Sequence, residues 1–198
     1  MNDVDDVLDG VFDAELLERA RRGDEDAFAQ LFGRHQGAIC RYAVHMCGPE
    51  AGDDIVQETF LAVLRQRGRT DAPRTSVAGY LFGIARHLVL QRLGSKYEQP
   101  FTDARDEDVG QVASDALTAL DDLTRAETIA AVRAAVQSLP PVYREVVALC
   151  ELQELDYTTA AGVVQCPVGT IRSRLSRARA LLAAKLSDLH QAASGRRG

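Results

Sequence analysis

The sequence contains no tryptophan, and aromatic residues make up only 6% of its 198 positions. Runs of β-branched residues are equally scarce, while Ala, Leu, Arg and Glu are abundant. A chain so composed favours helices over sheets, and its 46% apolar content is enough for real cores. No apolar run approaches the roughly 20 residues that a bilayer span needs. The start, MNDVDDVLDG, is acidic and lacks the basic-then-apolar order of a secretory signal. A cytoplasmic protein without membrane insertion is therefore expected. The net charge of −6 argues against a protein that coats nucleic acid indiscriminately.

Cysteine is also sparse. Cys40, Cys47, Cys150 and Cys166 fit neither a disulfide framework nor a zinc spacing. If Cys40 and Cys47 share one helix, seven steps of rise put them roughly 10 Å apart, beyond the reach of a disulfide. His35 and His45 lie nearby but add no paired-ligand spacing. Reduced, mostly buried thiols are the expectation, with no metal and no cofactor. Nor does the chain carry an internal repeat or a catalytic motif, so no enzyme activity is expected.

What the chain does have is charge distributed unevenly along it. Asp13 can cap a short amphipathic helix, AELLERARR, that stops at Gly23. Asp24 can cap the next, in which Phe28, Leu31, Phe32, Ile39, Tyr42 and Ala43 recur at helical spacing before Gly48 and Pro49 end it. Asp53 and Asp54 open DDIVQETFLAVLRQR, with Val56, Phe60, Val63 and Leu64 as its buried face. On a second stripe, spaced i, i+3, i+4, i+7, stand Asp54, Gln57, Glu58 and Leu61. The helix dipole explains acids in a first turn, but not a polar-plus-leucine stripe continuing past it. Such a face suits a docking partner.

A helix follows in VAGYLFGIARHLVLQRLGSK, with Leu81, Ile84, Ala85 and Leu88 inward and Tyr80, Gly83, His87 and Gln91 on another face. Around it Arg65, Arg67, Arg69, Arg74, Arg86, Arg92 and Lys96 are opposed only by Asp71. Cations interleaved with an aromatic and a histidine suit phosphates and unstacked bases. Residues 98–124 then lose periodicity and carry Asp103, Asp106, Glu107, Asp108, Asp115, Asp121 and Asp122 against Arg105, which reads as an extended, self-repelling linker. Helical pattern resumes in RAETIAAVRAAVQSL, breaks at Pro140 and Pro141, and returns in VYREVVALCEL with Val142, Val146 and Leu149 inward.

The last unit is two helices joined by a tight turn. Residues 158–164 form the first, Gln165 and Cys166 the turn, and Pro167 stands at a first helical position. Val168, Ile171, Leu175, Ala178 and Leu182 then make one apolar stripe. Ser173, Ser176 and Arg177 point away from it, and Arg172 and Arg179 flank it. One buried seam opposite a face of Arg and Ser suits entry into a major groove, where Arg pairs with guanine and hydroxyls reach bases or phosphates. A solvated basic helix in a bundle has the same pattern; the short helix and turn before it favour the groove.

Taken together, DDIVQETFLAVL, YLFGIARHLVLQRL, and LP-x-x-YREVVAL followed by DYTTAAGVVQCPVGTIRSRLSRARALL resemble the extracytoplasmic-function sigma factors of the bacterial sigma-70 superfamily. The resemblance spans about residues 13–97 and 125–187. It implies an all-α chain of two small helical domains: an acidic tail (1–12), a polymerase- and minus-ten-binding domain (13–97), the acidic linker (98–124), a minus-thirty-five-binding helix-turn-helix domain (125–187) and a tail (188–198). The implied partners are core RNA polymerase, through the clamp of its largest subunit and its flap, promoter DNA, and an anti-sigma factor. Asp54, Gln57 and Glu58 match the family's D-x-x-Q-E on the clamp face, with Leu61 continuing it. Tyr80 and His87 match positions often held by Trp and Asn in the minus-ten pocket, and Arg86, Gln91 and Arg92 share that helix. Pro167, Arg172, Ser173 and Arg177 match the family's minus-thirty-five contacts, with Ser176 beside them. Two departures stand out. Thr158 and Thr159 replace an acidic pair frequent in relatives, and Cys150 stands where relatives often carry a phosphate-binding Arg. The implied activity is promoter recognition and melting by a dissociable specificity subunit. A stand-alone helix-turn-helix regulator is the alternative, and it leaves the Asp54, Gln57, Glu58 stripe without a role.

Overall fold

A computed structural model describes the backbone of residues 3–65, 76–94, 97 and 125–194, which are helical with short turns and, among the described residues, no strand. The N-terminal half holds α1 (Asp3–Arg21), α2 (Glu25–Cys47), a 3₁₀ turn (Pro49–Ala51), α3 (Gly52–Arg65) and α4 (Val77–Leu93). Their boundaries follow local chemistry. The Asp24 carboxylate accepts from the Ala27 amide at 2.9 Å and the Ser76 hydroxyl from the Gly79 amide at 3.1 Å, each satisfying an orphan donor of a first turn. Gly48 ends α2 at φ +95°, where its amide returns to the Val44 carbonyl at 2.9 Å; a side chain there would be strained. Leu17, Leu31, Ile39, Tyr42, Phe60, Val63, Leu81 and Val89 are buried in this half.

One capping expectation is corrected. Asp13 does not begin a helix, because α1 starts at Asp3 and Asp13 lies inside it. Its carboxylate instead ties α1 to α2, accepting from Arg34 at 2.9 Å and meeting His35 Nε2 at 2.7 Å.

The C-terminal half consists of α5 (Arg125–Gln137), α6 (Pro141–Val147) running into a π-helical turn (Ala148–Leu152), α7 (Tyr157–Val164) and α8 (Val168–Ser194). Asp156 caps α7, accepting from the Thr158 and Thr159 amides at 2.8 and 2.9 Å. Gln165 turns the chain in the left-handed region at φ +59°. Pro167 stands one place before the first residue of α8 rather than at it, and its carbonyl receives the Thr170 amide at 2.9 Å. The stripe of α8 is buried at its centre, with Ile171, Leu175 and Ala178 at 1% exposure or less, while Val168 and Leu182 at its ends are half-buried.

The halves also pack on each other. A single cluster of buried apolar residues runs through both, with α4 against α7 and α2 against α5, α6 and the π turn. Ile84 and Leu88, expected in the N-terminal core, are only half-buried and line the cleft beside α7. The acidic stretch expected as a linker, 98–124, lies outside the described residues, as do Arg67, Arg69, Arg74 and Lys96 of the basic stretch.

Candidate nucleic-acid and polymerase interface

Three groups of side chains were singled out in the sequence, and the fold treats each differently. The first is on α3. Ile55, Val56, Thr59, Phe60 and Val63 turn inward, so the opposite positions, Asp54, Gln57, Glu58 and Leu61, are all exposed on one face. Leu61 is a large apolar side chain at 43% exposure within a polar surround. An exposed leucine flanked by acceptors is suited to docking on a complementary surface.

The second group is on α4. Tyr80, Gly83, Ile84, Arg86 and His87 line an open cleft of about 610 Å³, with Gly162 and Gln165 of the C-terminal half on its other side. The Arg21 guanidinium sits over the Tyr80 ring at 5.1 Å, a cation–π contact that orients the ring. His87 and Gln91 are hydrogen-bonded at 3.1 Å. Arg92 turns back to Asp54 at 3.2 Å, linking this group to the first across an exposed pair.

Arg86 lines the same cleft but is paired across to the C-terminal half. Its side chain is only 14% exposed, and its Nε donates at 2.8 Å to Glu145 of α6, a residue with no exposed surface. The Glu145 carboxylate also accepts from Tyr42 at 3.2 Å and from the Tyr97 hydroxyl. Burial opposes the charge on Arg86, but Glu145 and Tyr97 outweigh it and hold the guanidinium protonated. The Tyr42 and Tyr97 hydroxyls are pushed up, first by burial and then by the same carboxylate, so both remain donors.

Glu145 was not among the expected site residues. A signal existed: it sits at i+3 from Val142 and directly before Val146, inside the apolar stripe of VYREVVAL. A carboxylate in such a stripe has to find partners wherever the stripe is buried.

The third group lies on α8. Arg172, Ser173 and Ser176 are exposed, Arg177 is half-buried, and Pro167 is exposed at the turn. The Ser173 hydroxyl donates to the Thr170 carbonyl at 3.1 Å. Arg179 reaches Glu151 at 2.5 Å, which ties it to the π turn, away from Arg172, Ser173 and Ser176. The four cysteines are half-buried and free. Burial pushes the Cys150 thiol up to about 11, helped by Glu151 and Asp156, so it stays protonated. Among the described residues no group of three His, Cys, Asp or Glu side chains could hold a metal, and no helix is long and apolar enough to cross a membrane.

A fourth cluster lies at the seam. His45 of α2 is held below its ordinary value, first by burial and then by Arg133, Arg144 and Arg41. Arg144 donates across the seam to the Met46 carbonyl at 3.2 Å, and Arg41 to Gln153 at 3.1 Å.

Comparison with known proteins follows the same division. Residues 31–97 match the family model described as Sigma-70 region 2, and residues 129–182 the one described as Sigma-70, region 4. The chain is 35% identical to the ECF RNA polymerase sigma factor SigM of Mycobacterium tuberculosis, over 93% of this chain and 90% of that protein. It is 33% identical to the RNA polymerase sigma-H factor of Pseudomonas aeruginosa, over 89% and 95%. Among solved structures it is similar to CnrH, solved in complex with the cytosolic domain of CnrY. There the TM-score is 0.66 at 26% identity, covering 89% of this chain and 98% of that one. The fold is also shared with the sigma factor RpoE of Bartonella quintana, solved in complex with the anti-sigma factor NepR (TM-score 0.57, 23% identity, 81% and 96% covered).

Proposed function

Since the chain belongs to the extracytoplasmic-function branch of the sigma-70 family and is an RNA polymerase sigma factor, we propose that it works by dividing three contacts among the three groups of residues. Asp54, Gln57, Glu58 and Leu61 dock on the clamp of the polymerase's largest subunit. Tyr80, Arg86, His87, Gln91 and Arg92 take the minus-ten strand. Pro167, Arg172, Ser173, Ser176 and Arg177 read the minus-thirty-five duplex, with the C-terminal domain seated on the flap. Residues 13–97 and 125–187 are the two working domains, and 98–124 tethers them. The observation that carries this is the exposure of Asp54, Gln57, Glu58 and Leu61 together on one face of α3, opposite its buried side.

Neither DNA contact needs to be tight alone, because tethering makes the second effectively intramolecular. Unstacking a base costs a few kcal/mol and is recovered in a pocket that accepts it; the cleft beside Tyr80 and His87 has the stacking surface and hydrogen-bonding groups for that. The protein supplies no covalent step, acts in the cytoplasm, and is held in check by an anti-sigma protein, as the complex of RpoE with NepR suggests for this family. Pull-down with core polymerase tests the docking face: Gln57→Ala and Glu58→Ala should each weaken retention at least tenfold. Undiminished retention of both variants removes the assignment.

A further inference from the structure

Helix α2 meets α5, α6 and the π turn at a place rich in donors. Arg41 and His45 stand one turn apart on α2 and share a face. Arg144 of α6 is half-buried across from this stretch, with Nη1 donating to the Met46 carbonyl at 3.2 Å and Nη2 to the Leu139 carbonyl at 2.9 Å. Arg41 donates to Gln153 Oε1 at 3.1 Å, which turns the amide nitrogen of Gln153 away from it. That nitrogen, Arg144 Nε and His45 Nδ1 are enclosed and have no hydrogen-bond partner. Arg133, exposed on α5, acts on the same imidazole together with Arg144 and Arg41. Among the described residues no carboxylate pairs with any of these three arginines, and none figures among the charges that act on His45 or Arg144.

Three guanidiniums and an imidazole with no carboxylate among them repel one another. Each enclosed polar atom left unpaired adds a further cost. A neutral ligand would relieve only the second of these. Phosphate relieves both, since it carries negative charge and several acceptor oxygens whose geometry matches guanidinium forks. We propose that the junction of α2, α5, α6 and the π turn binds a small phosphate-bearing anion, free phosphate or the terminal phosphate of a small ester, held by Arg41, His45, Arg133, Arg144 and the Gln153 amide. Rotation of the His45 ring, the Arg144 fork and the Gln153 amide brings the three orphaned nitrogens onto its oxygens. Arg41 and Arg133 are exposed at the mouth, while His45, Arg144 and Gln153 are half-buried behind them. Such an opening admits an isolated phosphate or a terminal ester, but not a polymer backbone flanked by sugars on both sides. None of these residues belongs to the groups assigned to polymerase or promoter, so the site stands apart from that reading.

Thermal melts of the full chain, followed by circular dichroism at pH 7 and constant ionic strength, compare sodium chloride, inorganic phosphate and adenosine 5′-monophosphate. At about ten times its half-saturating concentration, phosphate should raise the midpoint by about 3–6 °C above chloride. Arg41→Gln and Arg133→Gln, both at exposed positions, should each lose most of that rise, whereas Arg22→Gln, at an exposed arginine of α1, should keep it. A rise with phosphate alone assigns the free ion, and an equal rise with the monophosphate extends the site to esters. The His45 ring gives a second readout. It faces Arg41 on its own helix, Arg133 on α5, Arg144 on α6 and the Gln153 amide, so an added anion favours its protonated form. Phosphate should therefore move its titration midpoint up toward the ordinary 6.5. Imidazole proton shifts follow this, assigned by the signal that His45→Gln loses. An unmoved His45 midpoint, no rise above chloride, or a rise that Arg41→Gln and Arg133→Gln both retain overturns the site.

Discussion

Replacing Asp156 by Ala isolates how α7, the short helix packed against α8, is held in place. The Asp156 side chain accepts from the amides of Thr158 and Thr159 at 2.8 and 2.9 Å and from the Thr159 hydroxyl at 2.5 Å. Helix α7 is only eight residues long, so these bonds satisfy half of its orphan amides. Losing such a cap costs about 1 kcal/mol, and losing a carboxylate from a helix N-terminus costs about 0.5 kcal/mol more. A cooperative unit of this size shifts its melting midpoint by about 2–4 °C per kcal/mol, so Asp156→Ala should melt about 3–6 °C lower. Asp156→Asn keeps a good cap without the charge and should lose about a third as much. Burial works against the charge on Asp156, but the Thr159 hydroxyl and the Thr159 and Thr158 amides outweigh it and hold the carboxyl below its ordinary 3.8. Its stabilisation is therefore fully present above that value and is lost as pH falls through the lowered one. Melts followed by circular dichroism at pH 7 and near pH 3 should show the gap between wild type and Asp156→Asn closing in acid. Equal midpoints for wild type and Asp156→Ala at pH 7 refute the capping argument.

Gly52 offers a packing test. An added Cβ would lie 2.9 Å from Cys40 Sγ and 3.0 Å from a Val44 methyl, so Gly52→Ala should cost about 1 kcal/mol net of its better helix propensity. Cys40→Ala should recover much of that loss in chemical denaturation, and a stabilised Gly52→Ala would contradict the packing described. At the seam, His45 is neutral because burial and three arginines depress it. Its contribution is present above its ordinary value of about 6.5 and lost as pH falls through the lowered one. The fall in melting temperature between pH 7.5 and 5.5 should therefore be smaller in His45→Gln than in wild type; identical falls refute it. For promoter contacts, Arg172→Ala and Arg177→Ala should each weaken binding by polymerase holoenzyme. A salt slope reduced by about one marks a phosphate contact, whereas relaxed sequence preference at constant slope marks base reading. No change in either quantity removes that residue from the interface.

The helices were legible because their boundaries are local. Asp24, Ser76 and Asp156 cap helices that begin beside them, and the α3 and α8 stripes are buried at their centres, with Leu64, Val168 and Leu182 half-buried. Gly33 and Gly37 do not break α2, since tertiary burial of Leu31, Ile39 and Tyr42 outweighs their weak propensity. What was not legible depends on which helices meet. Asp13 resembles a cap until α2 brings Arg34 and His35 to it. Ile84 and Leu88 read as core of the N-terminal half because periodicity reports that a face is apolar, not which neighbour covers it. Glu145 and Arg86 are separated by 59 positions, and no local pattern pairs them. The exposure of Asp54, Gln57, Glu58, Arg172, Ser173 and Ser176 was easier to read, because polar residues on a helix whose other face is plainly apolar have only solvent or a partner to meet.

The central claim is that promoter selection belongs to the chain only in company with polymerase. Footprinting on a promoter that the holoenzyme transcribes tests it most directly, comparing the purified chain, core polymerase and the two combined. Protection of both the minus-ten and minus-thirty-five boxes by the combination, and of neither by the chain alone, is the expected result. Full protection of one short duplex by the chain alone, unchanged when polymerase is added, would contradict it.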